Sequence, residues 1–173
     1  MKAFYKKLLE TFEKEEIKDL YRIKGLIPVQ FIDIYAEQDL IPEWFEAHQY
    51  PALLISWNVN YAESEAVAYL TFSLCYEQLH DTSSLGQNTD LALKFLDFIE
   101  ITDKILKGIE TPNTGKLYLQ SEQNKVDETV TDVYLLNYQC SYTGKKQTLQ
   151  KDYLQGDYEN ISVKTGLFSQ LLD

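Results

Sequence analysis

The chain has 173 residues, of which 27 are acidic and 16 are basic, so its formal net charge is −11. This excess of acid argues against wrapping of DNA or RNA and against binding to an anionic membrane surface, because both require basic residues. The length fits one domain with an appendage, and a hydrophobic fraction of 45% suffices for a sizeable core.

The first 50 residues predict a helix, a short strand and a second, shorter helix. Apolar residues recur at helical spacing over residues 2–20, with Lys and Glu between them, which indicates one amphipathic helix. A short strand is predicted over residues 29–35, and Asp39 is expected to cap a short helix with Pro42 in its first turn. The charged N-terminus is unlike a signal peptide, and no apolar run approaches the ~18 residues of a spanning helix. We therefore expect the protein to work in the cytoplasm where it is made.

The next two runs, residues 52–59 and 66–78, are predicted to form an antiparallel hairpin with one face on a core. In the second run the side chains alternate strictly between two sets. The set expected to face the core is Leu70, Phe72, Leu74 and Tyr76. The set expected on the opposite face is Tyr69, Thr71, Ser73 and Cys75.

A long helix is predicted from about residue 90 to residue 109, where apolar residues form one broad stripe. Acidic residues precede basic ones at i,i+4, among them Glu100 before Lys104 and Asp103 before Lys107, and each pair supports a helix. Gly108 and the proline that follows it are expected to end the helix.

The remaining core elements are predicted as a short strand over 116–120, a polar linker over 121–128 and a long final strand. In the final strand one face is expected to hold Tyr134, Leu136, Tyr138, Cys140 and Tyr142. The other is expected to hold Val133, Leu135, Asn137 and Gln139. Together the elements predict an α+β fold, in which the N-terminal helix and the long helix pack on one face of an antiparallel β-sheet.

The composition changes at Gly144, which divides the chain into a core domain over residues 1–143 and a C-terminal arm over residues 144–173. Residues 145–164 are polar and offer no periodic face to bury. The arm ends on an apolar tip at the spacing of one side of a short helix, formed by Leu167, Phe168, Leu171 and Leu172. Such a tip either docks on another surface or folds back on its own domain, and the sequence leaves both open.

The sequence offers little reactive chemistry. Cys75 and Cys140 are expected to be buried free thiols, although a disulfide between them is possible. His80 and Asp81 precede Thr and Ser residues, a combination that hydrolases use, but adjacent loop residues rarely give the required geometry and a turn is favoured. We predict no catalytic residue, no cofactor and no metal, because no phosphate loop or metal-ligand spacing is present.

Four segments carry a resemblance to a known family. They are PALLISWNV (51–59), YLTFSLCYEQLHDTSS (69–84), LALKFLDFIEITDKILKGI (91–109) and VTDVYLLNYQCSYTG (130–144). In this order they resemble the tail-terminator-like head-to-tail connector proteins of the neck of tailed bacteriophages and prophages. The resemblance covers about residues 1–143 and rests on the residue pattern and the particular residue strings of these segments.

The resemblance implies a structural virion protein with no enzymatic activity, assembled in the bacterial host cytoplasm. Copies would form a ring with other neck, portal-side and tail proteins, and genomic DNA would pass through its channel without specific binding. Contacts are then expected at the arm tip and at the hairpin tip, which carries Tyr61, Glu63 and Glu65. The alternative is a cytoplasmic adaptor domain that binds another protein through a tyrosine-rich sheet surface, and a hydrolase using His80 is a third possibility.

Overall fold

The computed structural model describes residues 1–40, 50–62, 65–77, 82–125 and 131–144. Within them one mixed sheet holds five strands in the order β1-β2-β3-β5-β4. The strands are β1 (Phe31–Ile34), β2 (Ala52–Asn60), β3 (Val67–Tyr76), β4 (Tyr118–Lys125) and β5 (Asp132–Ser141).

The predicted sheet was right for the hairpin and the final strand but wrong in being wholly antiparallel. Strands β2, β3, β5 and β4 run antiparallel to their neighbours, whereas β1 pairs parallel to β2, with Phe31 opposite Ala52. A parallel pair requires the chain to return to the end at which β1 began before β2 starts. That path is not encoded in the alternation of either strand, which is why the pattern did not predict it.

The polar segment that follows residue 120 is also part of the sheet. Strand β4 continues to Lys125, so residues 121–125 are not the linker that the composition suggested. β4 lies at the edge of the sheet and is largely exposed, so it has no buried face that would produce apolar alternation. A register shift between Leu119 and Ser121 marks an irregularity in its pairing with β5.

The described ranges contain the α-helices α1 (Lys2–Phe12), α2 (Glu15–Ile23), α3 (Thr89–Ala92) and α4 (Lys94–Lys107). The single helix predicted over 2–20 is therefore two, because Lys14 has extended dihedrals of φ −65° and ψ 132°. The break redirects the chain so that Tyr21 of α2 is fully buried and reaches α4. The long helix is confirmed apart from an interruption at Leu93, and it ends at Gly108 as predicted.

All the long helices pack on one face of the sheet, as predicted. The main core joins residues of α1, α2 and α4 to alternate residues of β2, β3 and β5. The predicted alternation is confirmed, because the core contains Leu70, Phe72, Leu74, Leu136, Tyr138 and Cys140. The exposed side of α4 carries the predicted ion pairs, with Lys104 2.6 Å from Glu100 and Lys107 2.6 Å from Asp103.

One end of the opposite face is closed by a buried ion pair. Asp39 lies in a 3₁₀ turn at Gln38–Leu40, and its Oδ2 is 2.7 Å from the Nζ of Lys125. These residues are 86 apart in sequence and belong to opposite edges of the sheet, so the segment after β1 must cross this face to meet β4. A second small core lies beneath the crossing, formed by Ala52, Leu54, Cys75 and Val133. The carboxylate of Asp39 binds a distant lysine, and the short helix that it was predicted to cap, with Pro42 in its first turn, lies outside the described residues.

Both cysteines are free and buried, as favoured from the sequence, so the disulfide alternative is wrong. Cys140 belongs to the main core beneath the helices, and Cys75 belongs to the small core on the other side of the sheet. Because they lie on opposite faces, their side chains point away from each other.

Candidate protein-contact face

No described element covers the half of the sheet face that lies away from the helices, beyond the Asp39–Lys125 pair. Two register rows cross four strands there, and we call these eight residues the open face. One row is Asn58, Tyr69, Gln139 and Tyr118, and the next is Ser56, Thr71, Asn137 and Ser121. Tyr69 is 45% exposed and Tyr118 is 62% exposed, so both rings offer apolar area to solvent.

Hydrogen bonds hold the second row in place. The hydroxyl of Thr71 donates to the Oδ1 of Asn137 at 2.7 Å, and the Nδ2 of Asn137 donates to the Oγ of Ser121 at 3.1 Å. These two bonds tie β3, β5 and β4 together and fix the orientation of the Asn137 amide. The row is therefore a preorganised polar platform beside the more exposed tyrosine row.

The open face carries no charge, although the protein has a net charge of −11. Charged side chains lie elsewhere, for example on α2, where Glu15, Asp19 and Arg22 form exposed pairs. Two copies with the same large charge repel most strongly where charged surfaces face each other. An uncharged face therefore adds no local charge repulsion when another acidic body approaches it.

The composition of the open face is that of a contact surface. Protein interfaces are depleted in charge and enriched in Tyr, and antibody paratopes combine Tyr with Ser and Asn. Tyr supplies a rigid ring with few rotatable bonds, while Ser, Thr, Asn and Gln supply hydrogen-bonding groups that adapt to a partner. All eight residues of the face belong to these types.

A groove of about 530 Å³ lies between the end of α4 and the start of β4, and it shares only Tyr118 with the open face. Its lining comprises Lys104, Lys107, Gly108, Lys116, Leu117, Tyr118 and Leu119. Two of the three lysines are already paired with carboxylates on α4, which offsets much of their charge. The lining includes no Ser, Cys or His that could form a nucleophile–base pair, so the groove offers contact surface rather than reactive chemistry.

The structure places the predicted contact residues only in part. Tyr61 follows β2 and packs edge-on against the ring of Tyr142, with centroids 6.5 Å apart, while one side of the Tyr61 ring remains exposed. Glu65 is exposed shortly before β3. Glu63 lies outside the described residues, as do the predicted contacts at the arm tip, Leu167, Phe168, Leu171 and Leu172.

The candidate residues for reactive chemistry do not assemble into a site in the described ranges. His48, His80 and Asp81 lie outside those ranges, and Ser83 and Ser84 are exposed loop residues. Among the residues that can be described, no three His, Cys, Asp or Glu side chains cluster at a spacing that would hold a metal. No described helix combines the length and apolar character needed to cross a bilayer.

Burial also makes the thiols unreactive. It raises the pKa of Cys75 to about 12, with a further contribution from Asp39, and it raises the pKa of Cys140 to about 11. The thiolate is the nucleophilic form of cysteine, so both groups are inert at neutral pH.

The sequence signal for the open face was present but incomplete. The alternation had already assigned Tyr69, Thr71, Asn137 and Gln139 to the face away from the core. It could not add Tyr118, because that residue joins the row only through the edge strand and its irregular register.

No protein-family model matches the chain, and a search of curated proteins finds no match.

Proposed function

We propose that the protein is a structural subunit of a tailed-phage virion, a ring-forming, tail-terminator-like neck protein that joins head to tail and lines the DNA channel. The observation that carries this proposal is the uncharged, tyrosine-bearing open face on an otherwise acidic protein. The resemblance of residues 1–143 supplies the kind of assembly, and the open face supplies a surface on which a neighbouring subunit binds.

A closed ring of identical subunits requires two different, mutually complementary surfaces on each copy. The open face serves as one of them. The second is formed by the hairpin tip with Tyr61, Glu63 and Glu65, together with the arm tip with Leu167, Phe168, Leu171 and Leu172. The acidic remainder of the surface repels the phosphates of a passing duplex, so DNA moves through the channel without sticking.

Immunogold electron microscopy of phage particles from the source culture tests the location. We expect gold at the head-to-tail junction, at neither the capsid vertices nor the tail fibres. The antibody is first shown to bind native protein in solution, so that an inaccessible epitope is recognised. Particles that stay unlabelled while the protein remains in the soluble fraction would refute the virion proposal.

Isosteric charge substitutions test the contact face. Asn58→Asp and Gln139→Glu each add one negative charge to the open face at almost constant shape, and together they should reduce incorporation into particles at least tenfold. Gln87→Glu with Asn88→Asp is the matched control, because it also adds two charges and both residues are exposed before α3, where Asn88 is at a helix-cap position that Asp suits as well as Asn. Equal incorporation of the control and the double variant would show that the open face is not a subunit contact.

A protein-binding adaptor is the second candidate, and the exposed rings of Tyr69 and Tyr118 favour it as well. It predicts the same loss of binding on Gln139→Glu but a partner outside the virion. Absence of the protein from particles, combined with capture of one defined cellular protein by wild type and not by the charge variants, would establish the adaptor.

A further inference from the structure

We propose that the open face is the docking site for residues 145–173 of a neighbouring copy. This inference rests on the proposed ring function and names the segment that occupies the face. Such docking would explain why this half of the sheet, although it faces solvent, carries no charged side chain.

The arm is neutral overall, unlike the acidic domain to which it is attached. Residues 145–173 contain four basic and four acidic residues, so their formal net charge is zero. The other 12 basic and 23 acidic residues lie in residues 1–144, which therefore carry the whole net charge of −11. The arm can consequently approach another copy without adding net charge repulsion.

The chemistry of the arm also matches the face. The arm is rich in uncharged hydrogen-bonding groups and has isolated Tyr and aliphatic side chains, among them Tyr153, Tyr158, Asn160 and Ile161. An extended segment of this kind can exchange hydrogen bonds with the Asn, Gln, Ser and Thr side chains of the open face and pack on its tyrosine rings. The open face brings no charge to such a contact, and the four basic and four acidic residues of the arm balance each other.

The point at which the arm leaves the domain favours a neighbouring copy over its own. The backbone N–H of Thr143 donates to the carbonyl of Asn113 at 2.9 Å, and its hydroxyl donates to the carbonyl of Pro112 at 3.3 Å. These acceptors lie in the turn after α4, and the side chain of Tyr142 belongs to the core beneath the helices. Gly144 lies against the ring of Tyr142, so the chain leaves on the helix side, whereas its own open face lies on the other side of the sheet.

Gly144 holds this exit close to the domain. A Cβ built at Gly144 would lie 2.6 Å from the hydroxyl oxygen of Tyr142, which is closer than real Cβ contacts. The backbone thus passes directly over the Tyr142 ring at the first residue of the arm, a course that only glycine permits without displacing the ring. The direction of departure is defined before the arm begins.

The size of the face suits a segment better than a whole domain. Four strands about 4.8 Å apart and two register rows about 7 Å apart give a patch of roughly 300 Å². A stable interface between folded domains buries about 800 Å² on each partner. A 29-residue segment can cover this patch and continue onto neighbouring surface, so its contact is not limited by the patch.

Site-specific photocrosslinking of the full-length protein tests the occupant. Tyr69→p-benzoylphenylalanine places a photoreactive group on the open face, and Leu96→p-benzoylphenylalanine on α4 is the control, because the two side chains are 45% and 47% exposed. Each variant is mixed with an excess of ¹⁵N-labelled wild type at about 1 mM total protein, a concentration that detects millimolar affinity. Crosslinked peptides are then identified by mass spectrometry.

We expect the probe at position 69 to crosslink ¹⁵N-labelled peptides from residues 145–173 at least tenfold more than the probe at position 96, and Gln139→Glu to abolish the difference. Unlabelled arm peptides would mean that a copy binds its own arm, and peptides from residues 1–144 would mean that a neighbouring domain covers the face. Each result overturns the inference while leaving ring assembly standing. Crosslinking no stronger than the control overturns it too, and the immunogold result then decides separately whether the proposed function survives.

Discussion

Lys125→Met should be among the most destabilising single substitutions in this protein, although it removes a lysine from an edge strand. The Nζ of Lys125 lies 2.7 Å from the Oδ2 of Asp39 and 3.4 Å from the hydroxyl of Tyr35. The side chain of Asp39 is fully buried and that of Lys125 is 14% exposed. Methionine keeps a similar length of apolar stem but leaves the buried carboxylate without its cation.

The expected cost follows from the burial of Asp39. Removing one partner of a buried ion pair typically costs about 3–5 kcal/mol, because the other charge stays buried and uncompensated. One oxygen, Oδ1, already has no hydrogen-bond partner within the described residues, so the carboxylate depends heavily on Lys125. For a domain with a free energy of unfolding of about 5–15 kcal/mol, this is a large fraction of the total. The double variant Asp39→Asn/Lys125→Met should recover much of the loss, because it leaves no buried charge.

Urea unfolding followed by circular dichroism measures the effect, and Lys104→Met is the control. The Nζ of Lys104 is 2.6 Å from a Glu100 carboxylate oxygen, so the pair is as close as the buried one, but both side chains are exposed. Exposed pairs contribute little, and we expect the midpoint of this variant to match wild type. Equal midpoint shifts for Lys104→Met and Lys125→Met would refute the assignment of the buried pair as a structural tie.

The pH dependence of the same pair has a defined sign. Burial alone would lower the pKa of Lys125, but the hydrogen bonds to Asp39 and Tyr35 and their charges outweigh it, and the pKa is raised above its ordinary value of 10.5. A raised folded-state pKa gives stabilisation that is complete below 10.5 and is lost as the pH rises through the folded value. The difference in stability between wild type and Lys125→Met should therefore shrink above pH 10.5, and a difference that grows there would contradict the reasoning.

Two further predictions concern buried polar groups. The hydroxyl of Thr102 donates to the carbonyl of Phe98 at 2.7 Å, so in the 2.8 Å bond between Thr102 and Tyr21 the donor is the Tyr21 hydroxyl. Thr102→Val leaves that hydroxyl unsatisfied and should lower the free energy of unfolding by about 1–3 kcal/mol. This loss should exceed that of Tyr21→Phe. The reverse order in urea unfolding would show that the donor assignment is wrong. Cys75 and Cys140 should react with a thiol reagent only after unfolding. Burial raises their pKa values from 9.0, to about 12 for Cys75 and about 11 for Cys140. The stability that each buried thiol contributes should therefore fall as the pH rises from 9 through these values. Rapid labelling of the native protein at pH 7 would contradict this.

The sequence predicted those parts of the fold that depend on neighbours along the chain. The end of α4 at Gly108 and the two faces of β3 and β5 follow from local periodicity, and both are confirmed. The break at Lys14 was missed, because the apolar spacing continues past it and only packing of Tyr21 against α4 requires the turn. The parallel pairing of β1 and the ion pair between Asp39 and Lys125 were missed because both depend on a crossing of the sheet.

The candidate site shows the same division. Alternation placed Tyr69 and Gln139 on the face away from the core, but the row became a surface only when β4 added Tyr118. The sequence instead predicted contacts at the hairpin tip, where the ring of Tyr61 packs edge-on against the ring of Tyr142. Exposed polar residues on an edge strand carry no periodic signal that distinguishes a contact from a solvated surface, so the distinction requires the cross-strand register.

Strand β4 provides the strongest reason to interpret the open face as a contact rather than as a solvated surface. Edge strands commonly carry charged side chains, which keep them soluble and discourage unwanted pairing. In β4, Glu122 lies on the helix side of the sheet. Burial is the main cause of the raised pKa of Tyr134, and the charge of Glu122 raises it further. The only lysine of β4, Lys125, is bound to Asp39. On the side that faces away from the helices, the other paired positions of β4 are Tyr118, Ser121 and Gln123, which are uncharged although solvent would accept charge there. Approach by another copy of an acidic protein, as proposed, would account for the absence of charge at these positions.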